Sequence, residues 1–266
     1  MNHLYNQLKL GFISFSVTVI TLSVAAPALA GATGSEPAKT TPTTTSTKAS
    51  EFCTNLSSAS SKLNTNLSNL TSKLAAARTS RDQQIAADHT KWDQEIATNR
   101  ANWDQQRQAN FTKLEAKATT DAQKAAVKTF ENTVIAAVNT RRSNNDAARE
   151  TYRSSVENVL ANQRSTVDSQ VSTFVASVNS AEAAAQASCQ STPGEGYPIH
   201  NAFQAALKSA RETFNNARKS DGTIGSQIKL LAQTRDASFK ANNSAFETTF
   251  KTAQDALKAA FGNTKI

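Results

Sequence analysis

The sequence predicts an all-α protein: a long antiparallel helical hairpin on an eleven-residue repeat, with two shorter C-terminal helices that form a local bundle with it. Three observations carry this expectation. No glycine occurs between Gly34 and Gly194 and no proline between Pro42 and Pro193, so the residues that punctuate turns are missing from a very long tract. Within that tract, residues 81–113 read "RDQQIAADHTK WDQEIATNRAN WDQQRQANFTK", three units of eleven in which Asp82, Asp93 and Asp104 align, as do Trp92 and Trp103. Finally, the only two cysteines, Cys53 and Cys189, bracket the tract, and their midpoint is position 121.

Taken in chain order, residues 1–30 read as a signal peptide. "LGFISFSVTVITLSVAAPALA" is an apolar run behind Lys9 that ends in Ala28-Leu29-Ala30, the small-x-small pattern of a signal-peptidase site. The run is short for a membrane span, and no other segment is apolar enough to cross a bilayer. The expectation is therefore export, to the periplasm, cell surface or medium, with no transmembrane span once the leader is cleaved. Removing Lys9 leaves 28 basic and 21 acidic side chains, a net of +7. Residues 31–49 hold "SEPAKTTPTTTSTKAS", expected to be a disordered Thr/Pro/Ser spacer.

The hairpin is expected over residues 50–190. From Phe52 the large side chains follow steps of three and four: Leu56, Ala59, Leu63, Leu67, Leu70 and Leu74, then Arg78, Arg81, Ile85, His89, Trp92, Ile96, Arg100, Trp103, Arg107, Phe111 and Leu114. Eleven residues over three turns is close to the natural helix, so the stripe runs nearly straight along a coiled-coil-like helix. A second tract keeps the beat in another frame, through Val127, Val134, Val138, Arg149, Val156, Leu160, Val171, Val178 and Glu182. The change of frame swings the stripe far around the axis, which a turn near 119–121 resolves. Thr120 and Gln123 have the spacing of a capping box there, with Asp121 in the first turn. Folding at that point brings Cys53 and Cys189 to the same end, and in an exported chain the pair is expected to form a disulfide. Each arm would be about 100 Å long. Trp92 would fall opposite Arg149, as a cation–π pair.

"QSTPGEGYPIH" gives a Pro/Gly loop at 191–199, and residues 200–266 a helical pair. The first helix, about 200–219, has Phe203, Ala206, Ala210 and Phe214 on one side; the second, about 226–262, has Ile228, Phe239, Phe246, Phe250, Leu257 and Phe261. Both are expected on the clasped end of the hairpin.

The chemistry of a site is largely missing. His3 leaves with the leader, His89 sits in the stripe and His200 at a loop–helix junction, so no ligand pattern for a metal emerges. No phosphate loop or nucleophile elbow occurs, and the expectation is a protein with no cofactor, no metal and no enzymatic activity. Where a dry seam would prefer leucine, the stretch 78–107 carries Arg78, Arg81, Arg100 and Arg107 beside Trp92 and Trp103. These six residues are the candidate interaction surface. The Asp-Gln pairs after the tryptophans read either as a solvated flank or as a recurring polar surface. Basic residues are interleaved with acids and no nucleic-acid motif appears, so no specific nucleic acid is expected.

The leader, the Thr/Pro spacer, "FC" at 52–53, the Ala-rich arms, Cys189 and "FQAALKSARETF" at 203–214 together resemble exported long-helical proteins of small-genome bacteria. That resemblance implies export and helices and supplies no activity. The eleven-residue beat is also similar to that of desiccation-protective helical proteins. Skp-like periplasmic chaperones are similar in being basic, exported and built from helical arms. The functional expectation is an exported, rod-like structural or interaction protein of the cell envelope or surface, with a protein or envelope polymer as partner and homo-oligomers possible. The alternatives are a holdase chaperone gripping clients between the arms and a weak binder of an anionic polymer, either wall polymer or nucleic acid.

Overall fold

A computed structural model describes residues 44–220 and 224–262; the expected leader and most of the spacer lie outside them. The described residues are helical except at short connections. They form α1 (Thr44–Glu115), α2 (Asp121–Ser191), α3 (Gly196–Ser220) and α4 (Ile224–Phe261). Helix α1 thus starts at Thr44, six residues before the expected start of the hairpin at 50. Serines and threonines, poor in helix interiors, are accommodated by bonding back to the preceding turn. Thr65 Oγ1 donates to the Ser61 carbonyl at 2.9 Å, Thr133 to that of Thr129 at 2.8 Å and Thr252 to that of Thr248 at 3.0 Å.

The turn is made by residues 116–120, and it needs neither glycine nor proline because side chains satisfy the free amides of α2. Thr120 Oγ1 accepts the Gln123 amide at 3.2 Å, while Gln123 Oε1 accepts the Thr120 amide at 3.2 Å and the Thr119 amide at 2.9 Å. This reciprocal arrangement is the capping box expected from the sequence. Helix α3 opens earlier than expected, at Gly196. Pro198 fits in its first turn, where a missing amide costs nothing, and the Ile199 amide begins the ladder on the Glu195 carbonyl at 3.2 Å. Gly262 ends α4 with a φ of 61°, a left-handed conformation that glycine adopts freely.

The described residues divide into two compact units, 44–82 with 164–220, and 83–163 with 224–262. In the first unit Leu56, Leu63 and Leu67 of α1, Val178, Ala181 and Ala185 of α2, and Ile199, Phe203 and Leu207 of α3 form one core. Cys53 and Cys189 lie against it at disulfide distance, with Cα atoms 5.5 Å apart. Phe52 packs edge-on to His200 with ring centres 5.0 Å apart.

In the second unit the core is split. Phe111 of α1 joins Val134 and Val138 of α2, with Phe246 and Phe250 of α4 packed on them. Beside the turn, Ala118 and Val127 meet Leu257 and Phe261 of α4. The expectation that both C-terminal helices pack on the clasped end is therefore corrected: α3 does so, whereas α4 belongs to the unit that holds the turn. The physical reason is complementarity. Phe130, Val134 and Val138 offer an apolar face that Phe111 covers only in part, and the phenylalanines of α4 cover the remainder, with Phe130 and Phe250 edge to face at 5.9 Å.

Candidate functional site: cross-helix ion pairs on the eleven-residue beat

Between the apolar clusters, α1 and α2 exchange charged side chains, interleaved with a few buried apolar ones such as Val156 and Leu160. In the first unit Arg78 of α1 pairs with Asp168 of α2 at 2.8 Å, and Arg164 of α2 pairs with Asp82 of α1. In the second unit Arg100 of α1 pairs with Asp146 of α2 at 2.7 Å, and Arg142 of α2 pairs with Asp104 of α1 at 2.7 Å. The two sets are congruent: each helix contributes an Arg and, four residues on, an Asp, and the helices exchange them reciprocally. Arg153 to Asp93, at 2.8 Å in the second unit, is half of a third such set. Asp82, Asp93 and Asp104 thus meet Arg164, Arg153 and Arg142, eleven residues forward on one helix for eleven back on the other.

Several of these contacts are two-pronged, which fixes the register as well as the pairing. Arg142 reaches both carboxylate oxygens of Asp104 at 2.7 and 2.9 Å, and Arg153 reaches those of Asp93 at 2.8 and 3.0 Å. The Arg142 and Arg107 guanidiniums hold the Asp104 carboxyl down to about 2, and Arg153 lowers that of Asp93. Burial, and next Arg164, lowers Arg81, while burial followed by Arg100 lowers Arg149. One step beyond Asp104 and Arg142 the pattern ends, because Glu115 and Glu131 occupy the corresponding places. Burial first, then Glu115, raises the Glu131 carboxyl above its usual range.

The six residues of the candidate surface are divided between the two units and differ in exposure. Arg78 and Arg81 lie in the first unit, and Trp92, Arg100, Trp103 and Arg107 in the second. Arg78 and Arg100 turn into the seam, and Arg107 pairs with Asp104 on its own helix. Arg81 and Trp92 are half-buried, and Trp103 alone is broadly exposed, at 67%. The expected Trp92–Arg149 stacking is replaced: Arg149 pairs with Asp146, and cation–π contacts in this unit include Arg141 over Phe246 at 4.1 Å and Arg235 over Tyr152 at 4.6 Å. The aspartates of the repeat are neither plain solvated flank nor free ligand surface, since each accepts an arginine from the facing helix.

Sequence reasoning missed the partners on α2. A signal was present: Arg78–Asp82 and Arg100–Asp104 on one arm share their spacing with Arg142–Asp146 and Arg164–Asp168 on the other. Among the described residues no cluster of three or more His, Cys, Asp or Glu gathers as a metal site, and no helix is long and apolar enough to cross a membrane. No protein-family model, curated protein or solved structure matches the chain.

Proposed function

We propose that the chain is an exported structural or interaction protein of the cell envelope or surface, working through the outer faces of its helices and without a catalytic centre. The observation that supports this best is the use of the seam's polar groups. The arginines and aspartates that could otherwise serve as ligands or acid–base groups are spent on each other across the hairpin. The cysteine pair at disulfide distance fits an oxidising compartment, and the leader-like residues 1–30 fit export. Gripping clients between the arms would require breaking the cross-helix pairs, so partners are assigned to the outer faces, where Trp103 is the largest exposed side chain.

The test is to express the full chain with its leader, fractionate the cells, and map the recovered protein by non-reducing mass spectrometry. A photo-crosslinker placed at position 103 then reports neighbours. A mature terminus at Gly31, a Cys53–Cys189 linked peptide and a reproducible crosslinked envelope component are the expected results. A chain that stays in the cytosol with free thiols would sink the reading.

A further inference from the structure

The middle set of cross-helix pairs differs from its two neighbours in one chemical respect. The places held by Arg78 and Arg100 on α1 are held there by His89, and the places of Asp168 and Asp146 on α2 by Glu157. The other half of the set is intact, with Arg153 on both oxygens of Asp93. Among the described residues no ion pair joins His89 to Glu157. An imidazole is shorter than a guanidinium and does not reach across as arginine does at 78 and 100. This position is therefore the one point of the repeat where the seam's charge can change near neutral pH.

We infer that His89 makes the middle of the hairpin a proton-sensitive joint, closed when the imidazole is neutral and loosened in mild acid. The groups facing it give the direction. Within α1, Asp88 and Asp93 lie nearby, but Asp93 is already committed to Arg153. From α2, Arg153 repels an imidazolium and Glu157 attracts it. From α4, Arg235, paired with Asp236, lies over Tyr152, the residue before Arg153. Burial of the ring weighs most, and Arg153 next; both disfavour the charged form and outweigh the three carboxylates. The proton affinity of His89 is thus lower in the closed seam than in a hydrated, opened one. Above the ordinary value of 6.5 the closed joint keeps its full stability. As pH falls below it the opened form takes up the proton first, and the joint weakens. This inference is independent of the functional reading above.

The experiment is hydrogen exchange with mass-spectrometric readout on the full chain at pH 7.5 and 5.5, corrected for the intrinsic pH dependence of exchange. Peptides covering 85–96 and 150–160 report the joint, and those covering 76–83 and 163–170 report the arginine set of the other unit. The expected result is increased opening at the joint in acid, by up to about tenfold, the limit for a group of pKa near 6.5 taken one unit below it. The arginine set should not change. His89→Gln, which does not titrate, should abolish the increase, and His89→Arg should do the same by restoring the neighbours' pairing with Glu157. Unchanged or reduced opening of the wild-type joint in acid would overturn the inference, as would an equal increase in His89→Gln.

Discussion

The two compact units share the reciprocal arginine–aspartate exchange and differ in the apolar core that accompanies it. In the unit that holds the cysteines, nine buried residues from three helices make one continuous apolar core. In the unit that holds the turn, two smaller clusters sit around the turn and the first phenylalanines, while further along the hairpin arginine–aspartate pairs accompany single buried side chains such as Val156 and Leu160. Yet the seam positions follow one beat throughout: Leu56, Leu67, Arg78, His89, Arg100 and Phe111 are each eleven residues apart. The period sets which side chains face the partner helix. What occupies each beat sets how much that facing contributes. A fully buried leucine contributes about 1.5–3 kcal/mol, whereas an exposed ion pair contributes well under about 1 kcal/mol.

The clasp gives the largest expected effect. Cys53 and Cys189 are 136 residues apart in sequence, so opening a bond between them frees a long loop in the unfolded chain. On the chain-entropy model the loss approaches about 5 kcal/mol. Urea unfolding of the Cys53→Ser/Cys189→Ser variant should show it, and hydrogen exchange should place the loss mainly in the cysteine-bearing unit. An equal loss of protection in both units would make them a single cooperative block and remove the contrast.

The next effect tests the apolar core against the charged seam directly. Leu63 is almost fully buried, so Leu63→Ala should cost about 2–5 kcal/mol, depending on how far the core collapses into the space. Arg100, whose side chain keeps 31% exposure and pairs with a half-exposed Asp146, should cost about 1 kcal/mol or less as Arg100→Ala. Denaturant midpoints of the two variants measure the ratio. Equal losses would mean that the seam is held by its charges as firmly as the clasped end is by its leucines.

Much of this organisation was legible in the sequence, because periodicity and capping are local. The eleven-residue stripe, the turn, the Thr120–Gln123 cap and the approach of Cys53 to Cys189 follow from spacing alone. The placement of α4 was not legible, since Phe246, Phe250 and Phe261 would satisfy any apolar face, and only the incomplete cover on Val134 and Val138 selects one. The charged seam fell between these cases. Read on one helix, Arg78 and Arg100 interrupt an apolar stripe and look like a surface. The aspartates that take them up lie on the other arm, 90 and 46 residues away, and their role appears only when the two arms are laid in register.

The smallest effect separates pairing from burial within the seam itself. Asp104 accepts Arg142 from the facing helix and Arg107 from its own, and its carboxyl is held at about 2. A carboxyl depressed in the folded state contributes stability above its unfolded value, near 3.9, and loses it as pH falls through the folded value. With 42% of the side chain exposed, solvent screening leaves this at about 1 kcal/mol or less. Asp104→Asn should therefore lower the urea midpoint slightly at pH 7, and the gap to wild type should close between about pH 4 and pH 2. Added salt should narrow the pH 7 gap as well, because partly exposed pairs are screened. The Arg142→Gln variant should lose no more than Asp104→Asn, and the double variant little more than either, since the two act as one pair. A gap that persists at pH 2 and in high salt would mean that Asp104 acts through packing. The charged seam would then differ from the clasped core in composition only, and not in the kind of force that closes it.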